Sequence, residues 1–319
     1  MKKQVAIGID VGGTNTVFGF VDKEGNCIYE SSIITNAELN ANQLFERLFK
    51  NINDSFIIYR DIYELIGIGI GAPNANYYKG TVEQPPNLNW GYVNVLEIVK
   101  KYSPLPSAIT NDANAAAIGE MIFGAAKGMK NFIVITLGTG LGSGIVVNED
   151  LVYGADGFAG EIGHTIVDPN GRECGCGRKG CLETYASATG IRRTVYELIC
   201  KNNLPSELRD IGFNQLTAKN IFEAASRGDK LALDAFDYTA KILGLKLADA
   251  VEHLSPEAII LFGGLALAGD LILVPTKQYM EGYLLNIFRN KVKIISSALL
   301  GSNAAVLGAS ALIWNELKK

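Results

Sequence analysis

Apolar residues first enter this chain as short unbroken runs. Val5-Ala-Ile-Gly-Ile9 leads into Asp10-Val-Gly-Gly-Thr14, and a second run follows from Val17 to Val21. The arrangement returns at Phe132-Ile-Val-Ile135, Gly138-Thr139-Gly140-Leu-Gly142 and Ile145-Val-Val147. A β-rich run, a Gly/Thr turn and another β-rich run predict a hairpin whose turn exposes backbone N–H groups. Two copies, one in each half, predict a duplicated α/β architecture. Elsewhere the period changes. Leu44, Phe45, Leu48, Phe49 and Ile52 repeat at helical spacing within residues 39–58. Residues 65–70 read as a short strand ending at Gly71-Ala72-Pro73. Ala108-Ile109-Thr110 is strand-like and leads through Asn111-Asp112 into a helix over 113–126. A long helix is predicted over 229–254, a buried strand over 258–262 ending at Gly263-Gly264, and a closing alanine-rich helix over 303–317. Strand alternating with helix is the pattern of an α/β fold.

Composition narrows the picture. The 319 residues suit two domains, and 48% hydrophobic with 19% charged residues excludes a disordered chain. Glycine is in excess: 35 residues, or about 11%, against a usual value of roughly 7%. Twelve of them fall between Gly138 and Gly180, where the backbone must turn tightly or approach something closely. The net charge of −4, with no basic stripe, argues against a nucleic-acid partner. The longest uncharged stretch, 131–148, contains four glycines and reads as two strands around a turn, not as a membrane span. The start at Met1-Lys2-Lys3 is too quickly interrupted by Asp10 for a signal peptide. Five cysteines, an odd number, are poor material for a disulfide framework. A cytoplasmic protein is expected.

The chemistry gathers at a few places. In Asp10-Val11-Gly12-Gly13-Thr14 the glycines let N–H groups converge on an anion, Thr14 adds a hydroxyl, and Asp10 is placed to hold Mg²⁺ through water. In the second turn Gly138, Thr139, Gly140 and the glycines after them fit close backbone approach to phosphate. Asn111-Asp112 has two readings: a helix N-cap, for which Asp suffices, or a general base at the carboxyl end of a strand, where α/β folds place ligands. His164, Cys174, Cys176 and Cys181, spaced ten, two and five apart, make a tetrahedral His-Cys₃ zinc set. Four protein ligands leave no open position, so the zinc would be structural. Gly171, Gly175, Gly177 and Gly180 would shape that knuckle. Gly263-Gly264 reads equally well as a tight strand-to-helix turn or as room for a flat ligand face such as adenine. Cys27, Cys200 and His253 lie outside these groups.

Together the motifs resemble the ROK family of sugar kinases and sugar-responsive repressors. They are Asp10-x-Gly-Gly-Thr14, Gly71-x-Pro73, Asn111-Asp112, the 136–145 loop, Glu161-x-Gly-His164 and Cys174-x-Cys176-Gly-x-x-Gly-Cys181-Leu182-Glu183. The resemblance implies the duplicated RNase H-like, actin-like ATPase fold, with two α/β domains around a central cleft. The expected division is residues 1–111 plus 303–319 for the small domain and 112–302 for the large one. It implies that Asp112 is the catalytic base, taking the proton of a sugar hydroxyl as it attacks the γ-phosphate of ATP. It implies that Asn111, Glu161, His164 and Glu183 hold sugar hydroxyls, with Gly71 in the matching strand-end turn. The two Gly/Thr loops match the phosphate-binding segments, and Gly263-Gly264 the adenosine motif. One departure is Gly301-Ser302-Asn303, where the family often carries acidic residues.

Glucose is the first expectation for the sugar. N-acetylmannosamine, N-acetylglucosamine or fructose are alternatives, with discrimination expected in residues 81–90. A non-catalytic sugar-sensing regulator is the rival. Family repressors carry a helix-turn-helix before the first phosphate loop, which here begins at residue 10, and the base and both loops are present. The resemblance also implies a homodimer.

Overall fold

The chain opens with β1 (Lys3–Val11), whose residues Val5 to Ile9 are all buried, as in a strand covered on both faces. It folds back antiparallel into β2 (Asn15–Asp22) and then β3 (Cys27–Ile34). The computed structural model describes residues 2–299 and 304–318; Gly301-Ser302-Asn303 lie outside them. Helix α1 (Ala41–Phe56) begins in a capping box between Asn40 and Gln43 and buries Leu44, Phe45, Leu48, Phe49 and Ile52. β4 (Tyr63–Gly71) then enters beside β1, parallel to it. A small sheet of β5 (Ala75–Asn76), β6 (Thr81–Glu83) and β7 (Tyr92–Asn94) precedes α2 (Val95–Lys100). β8 (Ser107–Thr110) joins β4 in parallel and runs into α3 (Asp112–Ile122).

The second half repeats the plan. β9 (Phe132–Leu137) and β10 (Leu141–Val147) form an antiparallel hairpin with β11 (Asp150–Leu151) at its edge. Helices α4 (Ala188–Lys201), α5 (Ala218–Ser226) and α6 (Lys230–Leu254) follow. β12 (Ala258–Phe262) lies parallel to β9. After α7 (Asp270–Tyr283), β13 (Lys293–Ser296) lies parallel to β12. Helix α8 (Ala304–Glu316) closes the chain. The sheet orders are β3-β2-β1-β4-β8 and β11-β10-β9-β12-β13. Each has an antiparallel hairpin on one side and two parallel strands on the other, so the duplication expected from the hairpin motifs extends to whole sheets.

Two compact units result: Met1–Gly128 with Leu151–Ala159 and Ala298–Lys319, and Met129–Asp150 with Gly160–Ser297. In the first unit α1 packs on one face of the sheet, over Ile7, Ile9, Ile68 and Ile70, while α8 covers the other with Ala311, Leu312 and Ile313. Helix α8 lies so close that a side chain at Gly8 would overlap the Val306 carbonyl. The expected division at residue 111 is displaced. Helix α3 belongs to the first unit because it packs on α8, with Gly119 against the Gly308 backbone. Segment 151–159 also returns there, held by Asn76 Nδ2 donating to the Asp156 carbonyl at 2.7 Å and by Tyr153 stacked on Tyr77. Among the described residues no helix is long and apolar enough to cross a membrane.

Candidate active site

In the first unit the register of three adjacent parallel strands sets the geometry. Asp10 on β1 pairs with Gly71 on β4, and Gly71 pairs with Thr110 on β8. The strands therefore end level, and Asp10, Gly71 and Asn111-Asp112 come to one sheet edge. A methyl group placed on Gly71 would lie 3.5 Å from Asp10 Oδ1, 3.5 Å from Ala115 Cβ and 3.9 Å from Asp112 Cα. The cap of α3 is Asn111, not Asp112: Asn111 Oδ1 accepts from Asn114 N at 2.7 Å. This removes the capping explanation for Asp112, whose Oδ1 accepts from the neighbouring Ala113 N at 2.8 Å.

Neither Asp10 nor Asp112 has an ion-pair partner among the described residues. Burial, and then the nearby Asp112, push the Asp10 carboxyl up to about 7. Asp112 is open to water yet lies among much protein, and that desolvation raises its carboxyl too, against the opposing Ala113 hydrogen bond. Two uncompensated carboxylates at one edge are a fit for a hydrated divalent cation.

The turn Gly12-Gly13-Thr14 is held by Gly12 N donating to the Asn15 carbonyl at 3.0 Å and by Thr35 Oγ1 donating to the Gly12 carbonyl at 2.7 Å. Thr14 is exposed. Asn87 presses on the turn so closely that only glycine fits at position 13. The segment expected to discriminate sugars thus touches the first Gly/Thr turn. Trp90 Nε1 anchors that segment to the Leu39 carbonyl at 3.1 Å.

In the second unit the sequence-predicted residues meet around Leu141. His164 stands on a short 3₁₀ turn (Ile162–His164) that follows the exposed Glu161. The turn packs onto Leu141, leaving no room for a side chain at Gly163. Ser143 ties it to β10, accepting from Ile162 N at 3.2 Å and donating to the Gly160 carbonyl. Glu183 stands on a second such turn (Leu182–Thr184). Its Oε2 accepts from Leu141 N at 3.2 Å, and its Oε1 accepts from Cys174 Sγ at 3.2 Å.

The ligand atoms of His164, Cys174, Cys176 and Cys181 all lie within 4.8 Å of one another. Cys174 Sγ is 3.7 Å from His164 Nδ1, and Cys176 Sγ is 3.6 Å from Cys181 Sγ. Metal–sulfur bonds of about 2.3 Å in a tetrahedron require ligand–ligand edges of about 3.8 Å, so the knuckle already has the size of such a site. Burial opposes ionisation of Cys176, but hydrogen bonds from Arg178 outweigh it and bring the thiol down to about 6. Arg172, absent from the sequence reading as a site residue, locks the knuckle to α4. It donates to Glu197 Oε1 at 2.7 Å, to the Thr184 and Gly190 carbonyls at 2.6 and 3.1 Å, and to Thr194 Oγ1 at 2.9 Å, while stacking 4.5 Å over Tyr185.

The second Gly/Thr turn and the Gly263-Gly264 turn are one structure. Gly263 packs on the Leu137 backbone, and Leu265 N donates to the Leu137 carbonyl at 3.1 Å. Ala188 N, at the start of α4, donates to the Gly138 carbonyl at 2.9 Å. Beside them opens a cavity of about 560 Å³, lined by Gly138, Thr139, Gly264, Leu265, Phe222 and their neighbours, large enough for a nucleoside. Helix α5 and its Thr217, Lys219 and Phe222 were missed by sequence reasoning. The available signal was the Thr217-x-x-Asn220 capping box ahead of Ile221.

A family model described as the ROK family matches residues 6–316. The glucokinase of Halalkalibacterium halodurans is 37% identical over 320 residues, covering 98% of this chain and 96% of that protein. The glucokinase of Thermotoga maritima is 33% identical, covering 98% of each. The crystal structure of a ROK family glucokinase from Streptomyces griseus, in complex with glucose and AMPPNP, superposes with a TM-score of 0.80 at 34% identity, covering 97% of this chain and 98% of that one. The xylose repressor of Bacillus subtilis is 29% identical, and the match covers 98% of this chain but 77% of the repressor.

Proposed function

This chain belongs to the ROK family, and from that premise we propose that it is an ATP-dependent kinase converting glucose to glucose 6-phosphate. The observation that carries the reading is the level strand edge that sets Asp112 free of capping beside Asp10 and Gly71. The glucokinases that match it along nearly their whole length support glucose as the substrate.

The residues divide the work as follows. Asp112 takes the proton from the sugar hydroxyl while its oxygen bonds to the γ-phosphorus and the bond to the ADP oxygen breaks. A carboxylate raised above its ordinary value by desolvation is a stronger base for that transfer. Gly71 has no side chain and leaves the space beside the two carboxylates open. Asn111, through the amide not used in capping, and Glu161, His164 and Glu183 hold sugar hydroxyls. Gly12, Gly13 and Thr14, with Gly138, Thr139 and Gly140, present N–H and hydroxyl donors to the phosphates, and Gly263-Gly264 border the nucleoside. Asp10 would hold Mg²⁺ through water, and the cation would neutralise phosphate charge. Phosphoryl transfer asks little of a protein beyond this positioning and charge stabilisation.

Zn²⁺ would be held by His164 Nδ1, Cys174, Cys176 and Cys181, a closed set that supplies structure and not chemistry. With Nδ1 on the metal, Nε2 of His164 is left for the sugar, so the knuckle would orient a substrate ligand. A cytoplasmic location and a homodimer complete the proposal on family resemblance alone. The test is ADP release over a panel of glucose, N-acetylmannosamine, N-acetylglucosamine and fructose. Glucose is expected to give the highest kcat/KM, and no turnover on any sugar would favour the sugar-sensing regulator.

A further inference from the structure

We infer that the nucleotide site reads the shape of a purine and not its hydrogen-bonding edge, so that ITP and GTP also serve as phosphoryl donors; this rests on the kinase reading above. The cavity continues directly from Gly138-Thr139, so a nucleotide with its phosphates on that turn places its base among the cavity's remaining walls. Four polar side chains stand there: Thr139, Thr217, Lys219 and Glu223. Thr139 belongs to the phosphate turn. Thr217 is committed to its own helix, since Oγ1 accepts from Asn220 N at 3.1 Å and donates to Asn220 Oδ1 at 2.6 Å. Lys219 Nζ lies 3.8 Å from Glu223 Oε1, and both side chains face water, 82% and 42% exposed. Three of the backbone donors beside it are spent: Ala188 N on Gly138, Leu265 N on Leu137, and Ala268 N on Leu265. Among the described side chains, those left to pack against a base are the hydrocarbon of Leu137, Ala218, Leu265 and Ala268 and the ring of Phe222, with Lys219 and Glu223 at the water-facing rim.

The chemistry of such a wall sets the size of the discrimination. A site built to hydrogen-bond a group rejects an analogue lacking it by roughly 10⁴–10⁵, whereas an apolar pocket separates close shapes by only about 10–200-fold. Inosine changes the edge of adenine with little change of shape. Guanine adds an exocyclic amino group, and a pyrimidine forfeits half of the stacked area.

Binding and turnover are measured separately. ADP, IDP, GDP and CDP are titrated calorimetrically into the full chain with Mg²⁺ and saturating glucose, and kcat/KM is determined for the four triphosphates. IDP is expected within about tenfold of ADP, GDP within about 200-fold, and CDP weakest. Phe222→Ala should weaken the three purine nucleotides by a common factor. A preference for ADP over IDP above about 10³-fold, or no binding of any of the four, would overturn the inference. Purine-tolerant binding without sugar phosphorylation would instead uphold the shape-reading site while defeating the kinase reading and, with it, the donor role of ITP and GTP.

Discussion

The Glu183 carboxylate accepts the Leu141 backbone N–H through Oε2 at 3.2 Å, which fastens the end of the second Gly/Thr turn to the His/Cys knuckle. A residue proposed to hold sugar therefore also braces a turn proposed to hold phosphate. A methyl group on Gly140 would overlap the same oxygen, whereas one on Gly138 would meet nothing within 4 Å. Gly140→Ala should displace the carboxylate and leave the Leu141 N–H unpaired, a loss of about 1–3 kcal/mol. We expect KM for sugar to rise about tenfold or more in Gly140→Ala and to stay unchanged in Gly138→Ala. Equal sugar KM values in the two variants would contradict the brace.

Gly71 lies between the carboxylates without being crowded. Its nearest would-be contacts, at 3.5 Å to Asp10 Oδ1 and to Ala115 Cβ, are ordinary van der Waals distances. Gly71→Ala should fold with an unchanged Tm to within about 2 °C, since no overlap arises. The methyl would still occupy the space kept for substrate. We expect kcat/KM to fall about 10²-fold, as a small misplacement at a reacting centre does. The comparison of Tm with kcat/KM on one preparation checks it.

The raised carboxyls make a signed prediction for pH. Between the ordinary carboxylate value near 4 and the value of about 7 for Asp10, the folded protein binds more protons than the unfolded chain. The contribution of this pair to stability is therefore greatest at low pH and declines as pH rises through that window. In the metal- and nucleotide-free protein, Asp10→Asn should flatten the fall in Tm between about pH 4 and 7. Turnover has the opposite sign, because Asp112 must be ionised to accept a proton. The acidic limb should lie above the ordinary carboxylate range, with an apparent pKa belonging to the pair.

Much of this arrangement could be read in the chain before any coordinates. Both hairpins, the strand ending at Gly71 and the knuckle ligands are local: runs, turns and spacings between near neighbours. What was illegible depends on distant partners. Asn111 and Asp112 are both favoured cap residues, and only the side-chain geometry at Asn114 N assigns the cap of α3 to Asn111. The reach of Arg172 to Glu197, and of Glu183 to Leu141, joins residues 25 and 42 positions apart. Helix α5 is only nine residues long, so its period was too short to register. The division at residue 111 missed because the partner of α3 is α8, near the opposite end of the chain.

The knuckle makes a prediction for metal removal. A closed thiolate–imidazole site contributes its binding free energy to folding. Cys176→Ser, or chelation, should lower Tm and release about one equivalent of Zn²⁺ per chain. Sugar KM should rise as His164 and Glu183 lose their support. A fully folded, metal-free and active wild-type protein would refute the site.

The role of Asp112 as base is tested by comparing glucose-dependent ADP formation in the wild type and in Asp112→Asn, with glucose affinity measured on both by calorimetry. Retained glucose binding is expected, with kcat lowered about 10²–10⁴-fold, the usual contribution of a general base. Near-wild-type turnover in Asp112→Asn would contradict it.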